Sequence, residues 1–193
     1  MSDFPKIWFL RHGQTEWNRA YRLQGQLDSP LTDQGLADAA RQGRIMASVL
    51  RPGLALRASP LGRARRTAEI ALGGAPFVTD DRLMEIHAGD WQGRHREEIM
   101  ADHPDWAGTD PSPLDIYEAA PGGEGLARFR ARISAFLDDL TGPSVIVAHG
   151  LLGQVLRAEV RGLDMAQAGR LSNRQGCVYV LEGGQETVLE ALE

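Results

Sequence analysis

A short apolar run that stops on two charged or titratable residues constrains this chain more than any other feature. Lys6 to Leu10 has the length and the β-branched or aromatic content of a buried strand, and it ends in Arg11-His12-Gly13, where the glycine signals a turn. The pattern returns near the carboxyl end, where "SVIVAHGLLGQVLRAEVRG" reads as a buried strand that delivers His149 and then feeds a helix. Between them lie a strand from Leu54 to Ala58, a helix from about Leu61 to Leu72 and a short strand around Phe77 to Thr79. A helix starting at Leu31-Thr32-Asp33 carries Leu36, Ala39, Ala40, Gly43, Met46, Ala47 and Leu50 at helical spacing. Another from Gly125 to Leu140 places Leu126, Phe129, Ile133, Phe136, Leu137 and Leu140 on one face. Val178 to Glu182 and Thr187 to Ala191, with Gly183-Gly184 between them, suggest an antiparallel hairpin at an edge. Such alternation predicts an α/β fold, a three-layer α/β/α sandwich with a mostly parallel central sheet and an antiparallel edge strand.

All 193 residues are expected to form one domain, a length suited to one sizeable core. The segment from about 104 to 123 stands apart: Pro104, Pro111, Pro113 and Pro121 with several glycines predict a long irregular loop, a functional one on general grounds. From Pro104 to Ala127 there is no cation, while Asp105, Asp110, Asp115, Glu118 and Glu124 are acidic. If that segment covers a pocket, it is expected to disfavour anionic leaving groups. A net charge of -5 argues against nucleic acid as partner. No apolar stretch approaches a signal core or a membrane span, and Cys177 is alone, so a cytoplasmic protein without disulfides is expected. Oligomeric state is not legible.

Three strand ends carry the same chemistry: Arg11 and His12, Arg63 at a helix start in "RASPLGRARRTA", and His149. Two histidines and two arginines at one sheet edge, near helix amino-termini, form a site for an anion, and a tetrahedral phosphoryl group fits it best. The nucleophile follows partly by elimination. Six residues after Cys177 stands Gly183 and not the arginine of a cysteine phosphatase. No Gly-Lys-Ser/Thr loop and no His-Glu-x-x-His occurs, and His87, His95 and His103 are too irregularly spaced to suggest a metal site. Imidazole itself is left as the covalent catalyst. Such an imidazole needs a neutral attacking nitrogen, with its other nitrogen bonded to a backbone carbonyl.

"LRHGQTEWN", "RLQGQLDSPLTDQG", "ASPLGRARRTA", "LMEIHAGDWQG", "PGGEG" and "VAHG", in that order, resemble the histidine phosphatase superfamily, the phosphoglycerate-mutase-like fold. The resemblance spans nearly the whole chain. It implies His12 as the phosphorylated nucleophile, with Arg11, Arg63 and His149 clamping the phosphoryl oxygens and Glu85 as general acid and then base. It also implies Asn18, Arg22, Gln24 and Gly25 at the substrate end of the pocket, and neither metal nor cofactor. The chain departs from the pattern at Asp38 and Arg66, where glutamine is usual, and at Gly125, which replaces a serine expected at the pocket wall. The function implied is a metal-independent phosphomonoesterase acting on a small phosphorylated metabolite. A cofactor-dependent phosphoglycerate mutase is the alternative, although the longer insertion resembling the mutase lid is missing. A non-catalytic phospholigand-binding scaffold ranks third.

Overall fold

Every second residue of β1 (Ile7–Arg11) serves a different core. Ile7 and Phe9 join Phe129, Ile133, Leu152 and Val155 on one side of the sheet, while Trp8 and Leu10 join Ile45, Met46, Ala68 and Leu72 on the other. A strand buried on both faces needs helices on both, and the computed structural model supplies them. It describes residues 4–106, 108–109 and 111–191. After β1 come α1 (Glu16–Arg19), α2 (Asp33–Met46), β2 (Ala55–Ala58), α3 (Gly62–Ala71) and β3 (Val78–Thr79). Then follow α4 (Arg96–Asp102), α5 (Pro113–Ala119), α6 (Leu126–Asp138), β4 (Ser144–Ala148), α7 (Gly150–Arg161), α8 (Met165–Ala168), β5 (Val178–Glu182) and β6 (Gln185–Leu189). The sheet runs β3-β2-β4-β1-β5-β6. The first four of these strands are parallel and β5 runs against both neighbours, so the expected sandwich with its antiparallel edge hairpin is what forms.

Four local expectations are corrected. The second hairpin strand begins at Gln185 rather than Thr187, because Gly183 and Gly184, both at positive φ, close a two-residue turn that brings Glu182 opposite Gln185. The helix after Thr32 turns a different face inward. Leu36 is exposed, while Asp38 and Gln42 are buried with Ala39, Ile45 and Met46. Gln42 can be buried because its Nε2 donates to the carbonyls of Arg11 (2.9 Å) and Cys177 (3.1 Å), tying α2 to the end of β1.

The prolines of 104–123 do not exclude a helix. Pro113 lies in the first turn of α5, where no N–H partner is lost, and Ser112 and Asp115 cap that turn reciprocally. Gly125, finally, is the N-cap of α6 and not part of a pocket wall; Glu118 accepts the Leu126 N–H there instead of a serine hydroxyl.

Candidate active site

The parallel ladder runs one residue past the ends of its strands. His12 N–H donates to Ala148 O (2.9 Å) and Ser59 N–H to Val147 O (2.9 Å), which places the residues after β1, β2 and β4 side by side at one sheet edge. Gly13 follows at a close crossing: a Cβ there would lie 2.1 Å from Gly35 O, and one at Gly35 would lie 2.0 Å from Gln14 O. Two glycines therefore allow the loop after β1 to lie directly on the first turn of α2. Gly13 N–H also donates to Thr67 Oγ1 of α3.

The His12 ring is 3% exposed, and its Nδ1 lies 2.8 Å from Gly13 O. A carbonyl only accepts, so Nδ1 carries the proton and the lone pair is on Nε2. Arg63 Nε donates to that Nε2 at 3.3 Å. Burial first, and then the charges of Arg63 and Arg11, hold the His12 pKa well below the ordinary 6.5. The ring is accordingly neutral at neutral pH.

Arg63 is locked by its other donors, Nη1 to Leu27 O (2.8 Å) and Asp28 Oδ1 (3.2 Å), Nη2 to Gly25 O (2.8 Å). His149 packs edge-on against His12 with ring centroids 5.2 Å apart, and its Nε2 lies 2.7 Å from Ser59 Oγ. Burial and the Arg63 charge lower its pKa too. Arg11 Nη1 donates to Asn173 O. Arg11 Nε, His149 Nδ1 and Gln24 Nε2 are buried nitrogens without a partner in the protein. Such groups are costly to bury unless something accepts from them; Arg11 and Gln24 share a pocket wall with His12, and the His149 ring packs against it.

Glu85 is held from both ends. Its Oε1 accepts from Ile86 N–H (3.1 Å) and Leu152 N–H (2.9 Å), its Oε2 from Leu151 N–H (3.0 Å), so the first turn of α7 binds this carboxylate. Its carbonyl accepts from Arg132 Nη2 (3.0 Å) and Gln26 Nε2 (3.2 Å). Arg132 in turn forms a two-point ion pair with Glu124 (2.6 and 3.0 Å), and Glu124 accepts the His87 N–H.

Beside these groups lies a pocket of about 270 Å³; His149, fully buried against the His12 ring, is not on its wall. Its wall includes the expected Arg11, His12, Asn18, Arg22, Gln24, Arg63 and Glu85. Gly25 is not on that wall; its carbonyl holds Arg63, and its φ of +54° brings the chain against Gln92. Asn18 Oδ1 accepts from Thr15 N–H (3.2 Å) and Gln175 Nε2 (3.4 Å), and the same Gln175 amide donates to His12 O (2.9 Å).

The wall also holds Tyr21, Arg96, Pro113, Tyr117 and Asn173, none of which the sequence marked as a site residue. Tyr117 and Pro113 come from α5, so the 104–123 segment does border the pocket. Its acids do not. Asp115 caps Ser112, Glu118 caps α6, Glu124 pairs with Arg132, and Asp110 lies outside the described residues. Arg22 and Arg96 instead add cationic charge to the wall. No cluster of three or more His, Cys, Asp or Glu able to hold a metal occurs among the described residues, and no helix among them is long and apolar enough to cross a membrane.

Paired histidines and arginines at the carboxyl edge of a parallel sheet suit an oxyanion such as a phosphoryl group. The family model of the histidine phosphatase superfamily (branch 1) matches residues 7–191, and the chain belongs to that family. A glucosyl-3-phosphoglycerate phosphatase of Mycolicibacterium vanbaalenii is 37% identical, over 83% of this chain and 76% of the relative. A protein of Erwinia tasmaniensis named "Probable phosphoglycerate mutase GpmB" is 34% identical, over 88% and 80%. The crystal structure of the α-ribazole phosphatase of Shigella flexneri superimposes with a TM-score of 0.79 at 26% identity, covering 97% of this chain and 95% of that one.

Proposed function

We propose that the chain is one domain acting as a metal-independent phosphomonoesterase on a small phosphorylated metabolite, through a phosphohistidine at His12. The observation that carries this reading is the His12 Nε2 lone pair, fixed by the Nδ1 to Gly13 O bond and held by Arg63 Nε, with Arg11 and Gln24 on the same pocket wall and His149 packed on the ring, each with a buried nitrogen lacking a partner in the protein. Nε2 attacks phosphorus in line. Guanidinium and imidazole N–H groups stabilise the equatorial oxygens, supplying charge that metal ions supply in other phosphoryl transfers. The leaving oxygen takes a proton from Glu85. Three of the four carboxylate lone-pair positions are taken by peptide N–H groups, which leaves the second site of Oε2 for that proton. Glu85 then accepts a proton from water as its oxygen attacks the phosphohistidine, and His12 is released neutral with inorganic phosphate.

Arg22 and Arg96 at the rim suit a leaving group that carries a second negative charge. The same rim favours the second reading, a phosphoglycerate mutase, in which the phosphoryl group returns to another hydroxyl of the glycerate. Rapid quench with a labelled phosphomonoester should trap an acid-labile, base-stable adduct on His12; label on a serine or an aspartate would overturn the mechanism. Release of inorganic phosphate from 3-phosphoglycerate supports the phosphatase, whereas its conversion to the 2-isomer without release supports the mutase.

A further inference from the structure

Tyr21 is the one non-glycine residue at positive φ among the described residues, at +54°. An aromatic side chain rarely occupies this left-handed region, which glycine enters freely and asparagine or aspartate more often. Such strain persists only where the surroundings over-determine the backbone. Here they do: Tyr21 N–H donates to Asn18 O (3.1 Å), Arg96 N–H donates to Tyr21 O (3.0 Å), Arg22 N–H donates to Trp17 O (2.9 Å), and His95 Nδ1 lies 3.0 Å from Ala20 O.

Packing does not explain the side chain that this strained position presents. Tyr21 is 79% exposed, the most exposed large hydrophobic side chain among the described residues, yet it lines the same pocket as His12 and Arg22. A glycine would satisfy the same turn without strain, so the ring serves something outside the fold of this loop.

We infer that Tyr21 is a specificity residue whose ring stacks on the face of a ring in the leaving group of the phosphomonoester. This rests on the phosphatase reading above and adds the substrate class: a phosphate ester of a ring-bearing alcohol, whose flat face lies on Tyr21 while the phosphoryl group reaches His12. Stacked rings gain contact area in offset geometry, and a tyrosine at a wet pocket mouth offers that face at little entropic cost.

The test compares 2-phenylethyl phosphate with n-butyl phosphate, primary alkyl esters that differ mainly in the ring. In the wild type kcat/KM should favour the phenylethyl ester. In Tyr21→Gly that preference should fall about tenfold, chiefly through KM, and in Tyr21→Phe it should persist, because the ring and not the hydroxyl is used. Tyr21→Gly should also melt about 2–4 °C higher, since glycine relieves the left-handed strain. An unchanged preference in Tyr21→Gly, with both esters still hydrolysed, would overturn the role of Tyr21 and leave the phosphatase reading intact. Hydrolysis of neither ester nor of any other phosphomonoester by the wild type would overturn both.

Discussion

At the scale of single residues, the site is a problem of keeping one imidazole neutral inside a cationic shell. Burial and two guanidinium charges depress the pKa of His12, and burial with Arg63 depresses that of His149. The folded protein therefore binds fewer protons than the unfolded chain just below pH 6.5. Stability from these groups is fully present above that value and is lost as pH falls below it, at about 1.4 kcal/mol per pH unit for each proton the unfolded state binds in excess. Urea unfolding at a series of pH values should show this slope between pH 6.5 and 5, and His12→Asn should flatten it. The same substitution should reduce kcat on the order of 10⁴-fold or more, because His12 Nε2 is the imidazole nitrogen to which Arg63 donates and asparagine offers no comparable lone pair there. Steady-state assays at pH 7 check this, and a His12→Asn enzyme with substantial turnover would assign the chemistry elsewhere.

Elements matter through what they carry to the pocket. The loop after β1 rests on α2 through Gly13 and Gly35 with no room for a methyl group, the obstacle in each case being backbone oxygen. Gly35→Ala should cost about 2–4 kcal/mol of stability in urea unfolding, in the range of a poorly relieved overpacking, and should lower kcat by displacing the nucleophile loop. On the opposite face, α6 presents Arg132 to the carbonyls of Arg82 and Glu85 and to Glu124. Arg132→Met removes those donors and should loosen the segment carrying Glu85. A misplaced acid is felt most when the leaving alkoxide is poor. Hydrolysis of an alkyl phosphate should accordingly fall at least tenfold more than that of p-nitrophenyl phosphate. Equal losses on both substrates would reduce Arg132 to a fold-stabilising role.

For the whole molecule, the buried nitrogens without partners act as a latent binding energy for tetrahedral or trigonal-bipyramidal oxyanions. Vanadate at about 100 times its Kd should stabilise the native state by about 2.7 kcal/mol, a rise in Tm of roughly 5–10 °C that a melting curve will read. EDTA should leave both this shift and the activity unchanged. An EDTA-treated enzyme that regains activity only with Mg²⁺ or Zn²⁺ would count against a clamp built from arginine and histidine alone.

Periodicity made the sandwich legible, because strands buried on both faces and helices with one apolar stripe leave few ways to close a core around "IWFL" and "SVIVA". The sequence also marked His12, Arg63 and His149, since each follows a strand or opens a helix at the same sheet edge, where local order dictates position. Glu85 came through motif resemblance alone. Its setting, two peptide N–H groups from α7 and Arg132 of α6 paired with Glu124, joins segments far apart in the chain and leaves no local trace. Tyr21, Arg96 and Tyr117 were invisible for the same reason: each becomes a pocket residue only when α1, α4 and α5 converge. The acidic residues of 104–123 were legible as charges but not as helix caps and ion pairs. Charge is a property of the residue, whereas the direction in which its field acts is decided by the partner that tertiary structure places beside it.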